Sequence, residues 1–469
     1  MKLKNGLKEL EGLFGDRFSD SLIDRIAYSG DVWILYLLKS LNIKDINLPS
    51  AVIWPKNTDE VIEAVKIARD YKIPLYTYGG GAGVTGAVIP TTEHGVVIDL
   101  KLMNKILEFD EISQIVKVEA GVIAQHLEDR LNRRGFMFPH YPMSMWTSTI
   151  GGFIATRASG ILSTKYGSME DLVIGLQVVT GTGELLDFPP QSKTSMGPDL
   201  KRIFMGSEGT LGIITNATLR IYKIPEKLTF RVYLFEQLNE AINFIREILQ
   251  SGIKPPLIRL YDEMDTSVTF SRFGISEGNL LIMMFDEPQP IVEGILKKIE
   301  DIEKRHTFES LEEKIGYEWW HHRYHKYLSV PDAVNLGVVD TIEIYARWSK
   351  IYELYTRVKK AIEENESMAM AHLSHFYIEG AAIYFTFISD YSEENLFENY
   401  RRAWEAAVKE CLNVGGTISH HHGVGILRSP WFELELGKSI NILKSLKQIF
   451  DPDNILNPNK LGLDGVDWI

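Results

Sequence analysis

The sequence has one cysteine, no long apolar run and no excess of positive charge. Because Cys411 is the only cysteine, an intrachain disulfide is excluded. No stretch approaches the roughly 20 consecutive apolar residues that a membrane-spanning helix needs. The net charge of −13 argues against a nucleic-acid partner, since phosphates repel an acidic surface. The first residues lack the apolar core of a secretory signal, which predicts a cytoplasmic protein.

The chain does have length and apolar content. Its 469 residues are 45% hydrophobic, which is enough for two or three domains that share an interface. One short run, residues 32–38, is apolar all round and predicts a packed core helix, with peripheral membrane contact as the alternative. Dimers are the commonest assemblies of soluble enzymes, so we expect a homodimer.

A glycine-rich loop follows the first βαβ unit that the sequence predicts. Residues 51–54 and 75–78 read as strands, and Asn57 begins a capping signal for the helix between them. The second strand runs directly into a loop of small residues: Gly79, Gly80, Gly81, Ala82, Gly83 and Val84. Such a loop exposes consecutive backbone N–H groups to a pyrophosphate. Three of its glycines match G-x-G-x-x-G, but no helix pattern follows, which favours FAD over a Rossmann-bound NAD.

Further loops of small and hydroxyl residues follow along the chain. One of them contains Ser148, Thr149, Gly151, Gly152 and Ala155. Another contains Glu208, Thr210, Gly212 and Ile214. Several separated loops of this kind in one domain imply an extended ligand.

The order of these motifs resembles the FAD-linked oxidase family of the vanillyl-alcohol-oxidase or PCMH type. Five motifs carry the resemblance: GGGAGVTG, STIGGFIATRASG, YGSMEDLV, FMGSEGTLGIIT and DPDNILNPNKLG. It implies an α+β protein with a PCMH-type FAD-binding domain of two α/β subdomains over residues 1–222. An α/β cap domain with an antiparallel sheet is expected over residues 223–439, and a segment that returns to the FAD domain over residues 440–469.

The same resemblance implies how FAD is held. In such proteins the loop at residues 79–84 and the segment 148–155 hold the phosphates and the ribityl chain. The stretch 208–214 lies near the isoalloxazine and the adenosine. Some relatives attach the flavin covalently through a histidine, and the corresponding loop has none in this sequence. The resemblance therefore implies non-covalent FAD.

Within the family, the motifs RASG, GPD, FMGSEG and SHHHGVG are most similar to those of alkyldihydroxyacetonephosphate synthases. By that resemblance the catalytic residues are Arg259, Tyr384, His420, His421 and His422. Arg259 would contact the substrate, Tyr384 would act as acid and base at the reacting carbon, and the histidines would hold the phosphate or the ketone oxygen. The implied reaction exchanges the acyl group of acyl-dihydroxyacetone phosphate for a fatty alcohol through a flavin N5 adduct. The implied partner is a small or lipid-like phosphate substrate.

The chemistry of these residue types suits the roles. Arginine is a fixed fork of donors for phosphate or carboxylate, and neighbouring imidazoles can give an oxyanion both charge and hydrogen bonds. A tyrosine acts as a base only when nearby cations lower its pKa. We expect Arg259 and the histidines to lower the pKa of Tyr384 in this way.

The alternative function is that of an FAD-dependent D-2-hydroxy-acid dehydrogenase of the D-lactate or glycolate type. Those relatives carry a metal site built from H-x-G-D-G-N-x-H and a glutamate–histidine pair. The corresponding stretch reads HLSHFYIEGAA, and His421 stands at the glutamate position. His372 and His375 have the spacing of two ligands on a helix, but the residues after them predict a strand. We therefore expect no metal.

Overall fold

The structure is a computed structural model and describes residues 2–324, 338–365, 368–389 and 396–463. The first sheet has the strand order β1-β2-β4-β3, in which β2, β4 and β3 are parallel. Its strands are β1 (Phe18–Ser19), β2 (Ala51–Ile53), β3 (Leu75–Tyr78) and β4 (Val96–Asp99). The helices of this part are α1 (Lys2–Phe14), α2 (Leu22–Ala27), α3 (Ile34–Ser40) and α4 (Thr58–Tyr71).

Helix α4 shows how local sequence builds this unit. The Asn57 side chain caps the helix by accepting a hydrogen bond from the Glu60 N–H at 2.9 Å. The helix ends at Lys72, which takes the left-handed conformation with a φ of 57° just before Pro74. The predicted βαβ unit is confirmed. No helix lies between the glycine loop and β4, so the prediction of a non-Rossmann loop is also confirmed.

A second sheet packs against the same core and is antiparallel, with the order β5-β6-β10-β8-β9. Its strands are β5 (Ile106–Asp110), β6 (Ile115–Glu119), β8 (Val173–Val179), β9 (Leu185–Phe188) and β10 (Ile213–Arg220). A small pair joins β7 (Phe136–Met137) to β11 (Tyr222–Lys223). The helices here are α5 (Ala124–Asn132), α6 (Ile150–Thr156), α7 (Ser163–Tyr166) and α8 (Met169–Leu172).

The third sheet is antiparallel and has seven strands in the order β15-β12-β14-β13-β17-β18-β16. They are β12 (Thr229–Phe235), β13 (Leu257–Tyr261), β14 (Asn279–Phe285), β15 (Glu309–Leu311), β16 (Val338–Arg347), β17 (Met368–Phe376) and β18 (Gly380–Ser389). Its helices are α9 (Leu238–Gln250), α10 (Glu263–Phe270), α11 (Gln289–Glu303), α12 (Glu313–His322), α13 (Trp348–Glu363) and α14 (Leu396–Val414).

One face of the seven-stranded sheet is apolar, and the other combines an apolar cluster with polar side chains. Residues such as Leu260, Leu373 and Ile383 pack in one cluster with α9, α13 and α14. Four cross-strand neighbours follow one another over β13, β17, β18 and β16: Tyr261, His372, Tyr384 and Glu343. Because side chains alternate along a strand, these four residues share one face, and we call them the cap row.

The last described residues lie near the first sheet. Helices α15 (Ser429–Leu436) and α16 (Ile440–Phe450) precede a segment that pairs with β3, where the Leu75 N–H donates to the Ile455 carbonyl at 2.7 Å. Residues 464–469 of the predicted C-terminal segment lie outside the described residues. The predicted domain limits at residues 222 and 439 stay a prediction.

The apolar run at residues 32–38 is packed on one side only. Leu35 and Tyr36 are buried, whereas Val32 and Leu37 are exposed. Among the described residues, no helix has both the length and the apolar character that crossing a bilayer requires.

Candidate active site

A cavity is lined by residues of the two N-terminal sheets and of the segments that connect their strands, and we call it the cofactor cavity. Eight residues of its wall are among those that the sequence predicts to bind the cofactor: Gly79, Thr149, Gly151, Gly152, Ala155, Glu208, Gly212 and Ile214. Eight more were not predicted: Thr77, Tyr78, Ala87, Val88, Leu100, Ala120, Thr156 and Gly209.

Small residues are required in the cavity wall. A Cβ added to Gly79 would lie 2.4 Å from the Thr149 hydroxyl oxygen, and one added to Gly80, next to the wall, would lie 2.0 Å from the Thr147 carbonyl. The buried Thr77 hydroxyl has no hydrogen-bond partner among the described residues. A wall of close-packed glycines with an unsatisfied hydroxyl suits a polar, phosphate-bearing ligand, so the cavity fits the predicted cofactor.

Seven predicted cofactor residues do not line this cavity: Gly80, Gly81, Ala82, Gly83, Val84, Ser148 and Thr210. Several of them shape the loops instead. Gly81 has a φ of 62°, and a Cβ there would lie 2.0 Å from the Tyr78 hydroxyl. The Thr210 hydroxyl donates to the Ser207 carbonyl at 2.8 Å. A direct contact between these residues and the cofactor stays a prediction.

Two buried charges that the sequence analysis missed hold the glycine loop. Asp31 accepts a hydrogen bond from the Gly86 N–H at 2.9 Å, and burial raises its pKa to about 7. The Lys460 ammonium donates to the Ile89 carbonyl at 2.6 Å, and burial lowers its pKa to about 7. These residues lie far from the loop in sequence, so no local pattern points to them.

On the cap row, His372 links a carboxylate to a guanidinium. The Arg259 guanidinium donates to His372 Nε2 at 2.7 Å, and His372 Nδ1 lies 3.2 Å from an Asp265 carboxylate oxygen. Since Nε2 accepts, Nδ1 carries the proton that is donated to Asp265. The buried Nε–H of Arg259 has no partner among the described residues, so a donor remains for a ligand. Burial, and then Arg259, lower the pKa of His372 to about 4.

Tyr384 lies at the centre of the row. Its ring stacks on His372 with ring centres 4.8 Å apart, and it meets His422 edge-on at 5.5 Å. Burial raises the pKa of Tyr384 to about 12, and Arg259 offsets this only in part. Arg259 acts in the predicted direction, but burial outweighs it, so the expectation of a net lowering of this pKa is wrong. At neutral pH the Tyr384 hydroxyl is protonated and can donate.

Residues 419–425, which we call the triplet turn, are held by the fully buried carboxylate of Glu343. It accepts hydrogen bonds from the backbone N–H groups of His420, His421 and His422, the last at 2.9 Å. It also accepts from the Ser419 hydroxyl at 2.9 Å and pairs with Arg428 at 3.2 Å. Burial opposes ionisation, but Arg428 and the backbone N–H of His420 help to hold the pKa of Glu343 below its usual value.

Glu208 holds the other end of the triplet turn. Its carboxylate accepts from the Val424 N–H at 2.6 Å and from the Gly425 N–H at 2.8 Å. Glu208 also lines the cofactor cavity, so one carboxylate from each half of the molecule fixes the turn. The sequence analysis missed Glu343. The alternation Thr341-Ile-Glu343-Ile-Tyr345 was the available signal, because it places the carboxylate on the polar face of a strand.

The histidines form a hydrogen-bonded cluster without positive charge. His420 Nε2 lies 2.8 Å from the Tyr377 hydroxyl, and His420 Nδ1 lies 3.0 Å from His421 Nδ1. Burial lowers the pKa of His420 and of His422 to about 4, and that of His421 and His375 well below the usual value. The expectation that the triplet adds charge at neutral pH is wrong, and its imidazoles act as neutral donors and acceptors.

Among the residues that the structure describes, one group of side chains has the geometry for a metal ion. Ligand nitrogens of His375, His420 and His421 all lie within 4.8 Å of one another. His372 is outside this group, and its two ring nitrogens are hydrogen-bonded to Arg259 and Asp265. Both His372 and His375 lie on a strand, as predicted, and not on a helix. The expectation of no metal stays a prediction.

The five predicted catalytic residues are assembled around one region. Arg259 and Tyr384 flank His372 on neighbouring strands, and the triplet turn closes against Tyr384. This region meets the cofactor cavity at Glu208 and at Thr156, whose Cβ lies 3.7 Å from the position of a Cβ on Gly423.

Comparisons with known proteins agree with this architecture. The family model described as the FAD binding domain matches residues 49–189, and the model described as FAD linked oxidases, C-terminal domain, matches residues 224–461. A solved structure titled alkyldihydroxyacetonephosphate synthase superposes with a TM-score of 0.82 at 26% identity, covering 97% of this chain and 85% of that one. The predicted α+β class with an antiparallel cap sheet is confirmed.

Similar proteins of known function include two functional groups. The alkyldihydroxyacetonephosphate synthase of Caenorhabditis elegans is 31% identical over 449 residues, covering 87% of this chain and 75% of the relative. The glycolate oxidase subunit GlcD of Bacillus subtilis is 30% identical over 476 residues, covering 95% of this chain and 94% of the relative. Identity alone does not separate the two groups.

Proposed function

We propose a function from the premise that the chain belongs to the FAD-linked oxidase family and binds FAD in the cofactor cavity. The proposed reaction exchanges the acyl group of acyl-dihydroxyacetone phosphate for a fatty alcohol. When bound, the flavin supplies the electron-pair chemistry that the side chains lack. The remaining roles belong to Arg259, Tyr384 and the triplet turn.

The observation that carries this proposal is that Tyr384 and Arg259 offer hydrogen-bond donors, whereas the low pKa values of the triplet histidines make these imidazoles weak bases. The Tyr384 hydroxyl is protonated, Arg259 keeps a free Nε–H, and the histidines are neutral. A ketone presents an oxygen that accepts such hydrogen bonds as negative charge develops on it. A hydroxy acid instead presents a hydroxyl whose proton has to be removed by a base.

The groups divide the work as follows. Arg259 binds the anionic end of the substrate through its free donor, in the direction that His372 and Asp265 fix. The triplet turn presents imidazole N–H groups to the ketone oxygen. Tyr384 exchanges its proton at the reacting carbon. The acyl group leaves with its ester oxygen as a carboxylate, the alcohol oxygen bonds to the same carbon, and the alcohol proton is released. No electrons are gained or lost overall.

A second candidate is the oxidation of a D-2-hydroxy acid, and the charge of the site favours it. The positive charge of Arg259 is partly offset by the negative charge of Asp265, which is linked to it through His372. The neutral histidines add no positive charge. A carboxylate with one negative charge matches such a site better than a phosphate with two. A metal ion held by His375, His420 and His421 would then polarise the hydroxyl and assist loss of its proton.

The two candidates are separated by two assays on FAD-loaded protein without oxygen. The first supplies acyl-dihydroxyacetone phosphate with a long-chain alcohol and measures the ether product by mass spectrometry. The second supplies D-lactate or glycolate and follows bleaching of the flavin absorbance. Ether product without bleaching is expected. Bleaching without ether product would establish the second candidate. The absence of both ether product and bleaching would reject both candidates.

A matched pair of variants links either activity to Arg259, which lies beside the cap row. Arg259→Ala removes the free guanidinium donor and should lower the activity, whichever assay detects it. Arg231 lies on β12 of the same sheet, two strands from β13. The control variant Arg231→Ala should leave the activity unchanged. Equal losses in both variants would mean that general damage to the sheet explains the effect.

A further inference from the structure

We propose that Glu208 is a positioning residue that couples the triplet turn to the cofactor cavity, so that bound FAD orders the turn. The turn engages both oxygens of its carboxylate. One accepts from the Val424 N–H at 2.6 Å, and the other accepts from the Gly425 N–H at 2.8 Å. The side chain therefore holds the turn, although the residue itself lines the cavity. The sequence analysis predicted only cofactor binding for Glu208.

The backbone of Glu208 is fixed by the walls of the cavity. Its N–H donates to the Ala155 carbonyl at 2.9 Å, and its carbonyl accepts from the Asn457 side-chain amide at 2.6 Å. The same amide donates to the Ala87 carbonyl at 3.0 Å. Ala155 and Ala87 both line the cavity. A ligand that fills the cavity and stabilises these walls therefore also fixes the backbone from which the carboxylate extends.

The backbone conformation of Glu208 is unusual for its residue type. Its φ of 49° lies in the left-handed region, which residues with a Cβ rarely adopt. Such a conformation costs free energy and persists only where the surrounding contacts hold it. A glycine would adopt it without this cost. The hydrogen bonds of the carboxylate to the turn offset the cost of a glutamate at this position.

A second contact joins the segment after the turn to the glycine-rich motif at residues 79–86. The Thr85 carbonyl accepts from the Ile426 N–H at 2.9 Å and from the Leu427 N–H at 3.0 Å. The two segments pack without space between them, because a Cβ on Gly425 would lie 2.1 Å from the Thr85 carbonyl oxygen. The end of the turn is therefore hydrogen-bonded to two elements of the cofactor site.

The turn presents a side chain to the proposed acid and base. The His422 ring meets Tyr384 edge-on, with ring centres 5.5 Å apart. FAD that stabilises Glu208 and the glycine-rich motif should also favour the ordered turn, so the protein without FAD should hold His422 less firmly. This coupling depends on FAD binding in the cavity and not on which of the two candidate reactions follows.

Hydrogen–deuterium exchange tests the coupling without a substrate. Amide exchange of the full chain is measured by mass spectrometry with and without saturating FAD. In the wild type we expect the N–H groups of residues 424–427 to exchange roughly tenfold more slowly when FAD is bound, since local opening becomes less frequent. Equal exchange rates in the two states would reject the coupling.

Glu208→Gln tests the role of the carboxylate. It replaces one oxygen with an NH2 group, which cannot accept from a backbone N–H. FAD should then no longer slow exchange at residues 424 and 425, whereas FAD affinity in a fluorescence titration should stay close to the wild-type value. A variant that keeps the FAD-dependent protection would reject the role of Glu208. A folded variant that no longer binds FAD would make Glu208 a cofactor ligand and would also overturn the proposal.

Glu128→Gln is the matched control. Glu128 is 5% exposed, against 6% for Glu208, and its carboxylate also accepts from a backbone N–H, that of Phe138, at 2.7 Å. Glu128 does not line the cofactor cavity. This variant should therefore keep the FAD-dependent protection of residues 424–427. Loss of the protection in both variants would mean general damage to the fold and would reject a specific role of Glu208.

Gly425→Ala tests the second contact with the Glu208 side chain intact, and it decides the question even if Glu208→Gln does not fold. The added Cβ would meet the Thr85 carbonyl, and the φ of 55° is unfavourable for alanine. The turn has to move away from Thr85, so residues 426 and 427 should lose their FAD-dependent protection. Unchanged protection in this variant would contradict the coupling. None of these outcomes depends on the assays for the proposed function.

Discussion

The cofactor cavity and the cap row are built in different ways. The cavity wall consists of backbone and small residues from short continuous motifs, so its shape depends on glycines that pack against carbonyl and hydroxyl groups. The cap row consists of large side chains from four strands that are aligned only by sheet register. We infer that changes in the first region impair cofactor binding, whereas changes in the second impair chemistry after the cofactor is bound.

The largest expected effect is that of Tyr384→Phe on the cap row. Loss of the hydroxyl removes the proton donor and acceptor at the reacting carbon, so turnover should fall by roughly a hundredfold or more. The FAD dissociation constant should not change, since Tyr384 does not line the cavity. Stopped-flow turnover and a fluorescence titration with FAD check the two parts. A comparable loss of FAD affinity would contradict the inference that the cap row affects chemistry and not cofactor binding.

A smaller effect, on FAD binding and not on turnover, is expected for Gly80→Ala in the glycine loop next to the cavity wall. The added Cβ would meet the Thr147 carbonyl at 2.0 Å, so the loop has to shift. Overpacking of this kind costs about 1–3 kcal/mol, which corresponds to roughly five- to hundredfold weaker FAD binding if the shift affects the bound state. Turnover per bound FAD should stay normal. Gly12→Ala, where no atom lies within 4 Å of the new Cβ, is the control.

The neutral histidines predict how stability depends on pH. His420 and His422 have a folded pKa of about 4, below the ordinary value of 6.5. Between these values the unfolded chain binds protons that the native chain does not. Stability should therefore fall as pH drops from 6.5 towards 4, by at most about 1.4 kcal/mol per histidine per pH unit. Urea unfolding at several pH values measures the slope, and His422→Asn should make it shallower. An unchanged slope would mean that His422 is protonated in the native state.

The smallest effect is expected for Asp265→Asn. The amide oxygen can still accept from His372 Nδ1, but the negative charge that orients the His372–Arg259 pair is lost. We expect a rise in the substrate KM of about threefold, with turnover at saturation almost unchanged, because a single neutral hydrogen bond contributes about 1 kcal/mol. A hundredfold fall in turnover at saturation would instead make Asp265 part of the chemistry.

The difference between continuous local motifs and side chains aligned by sheet register also determined what the sequence could predict. The glycine loop, the segment 148–155 and the strands β2, β3 and β4 follow from local patterns, and so does the non-Rossmann connection. Arg259, Tyr384 and the triplet were found through motif resemblance. The roles of Glu343 and Asp265 depend on which strands become neighbours, which local pattern does not fix. The high pKa of Tyr384 depends on its burial in the folded site. The charges of neighbouring residues alone predicted a net shift of this pKa in the wrong direction.

The division between binding and chemistry is tested most directly by combining Gly80→Ala with Tyr384→Phe. FAD affinity and turnover per bound FAD are measured for the wild type, both single variants and the double variant, with the substrate that the assays identify. Independent regions give additive free-energy changes. The double variant should therefore show the FAD affinity of Gly80→Ala and the turnover of Tyr384→Phe. A double variant whose FAD affinity or turnover departs from these values by more than about 0.5 kcal/mol would contradict the division.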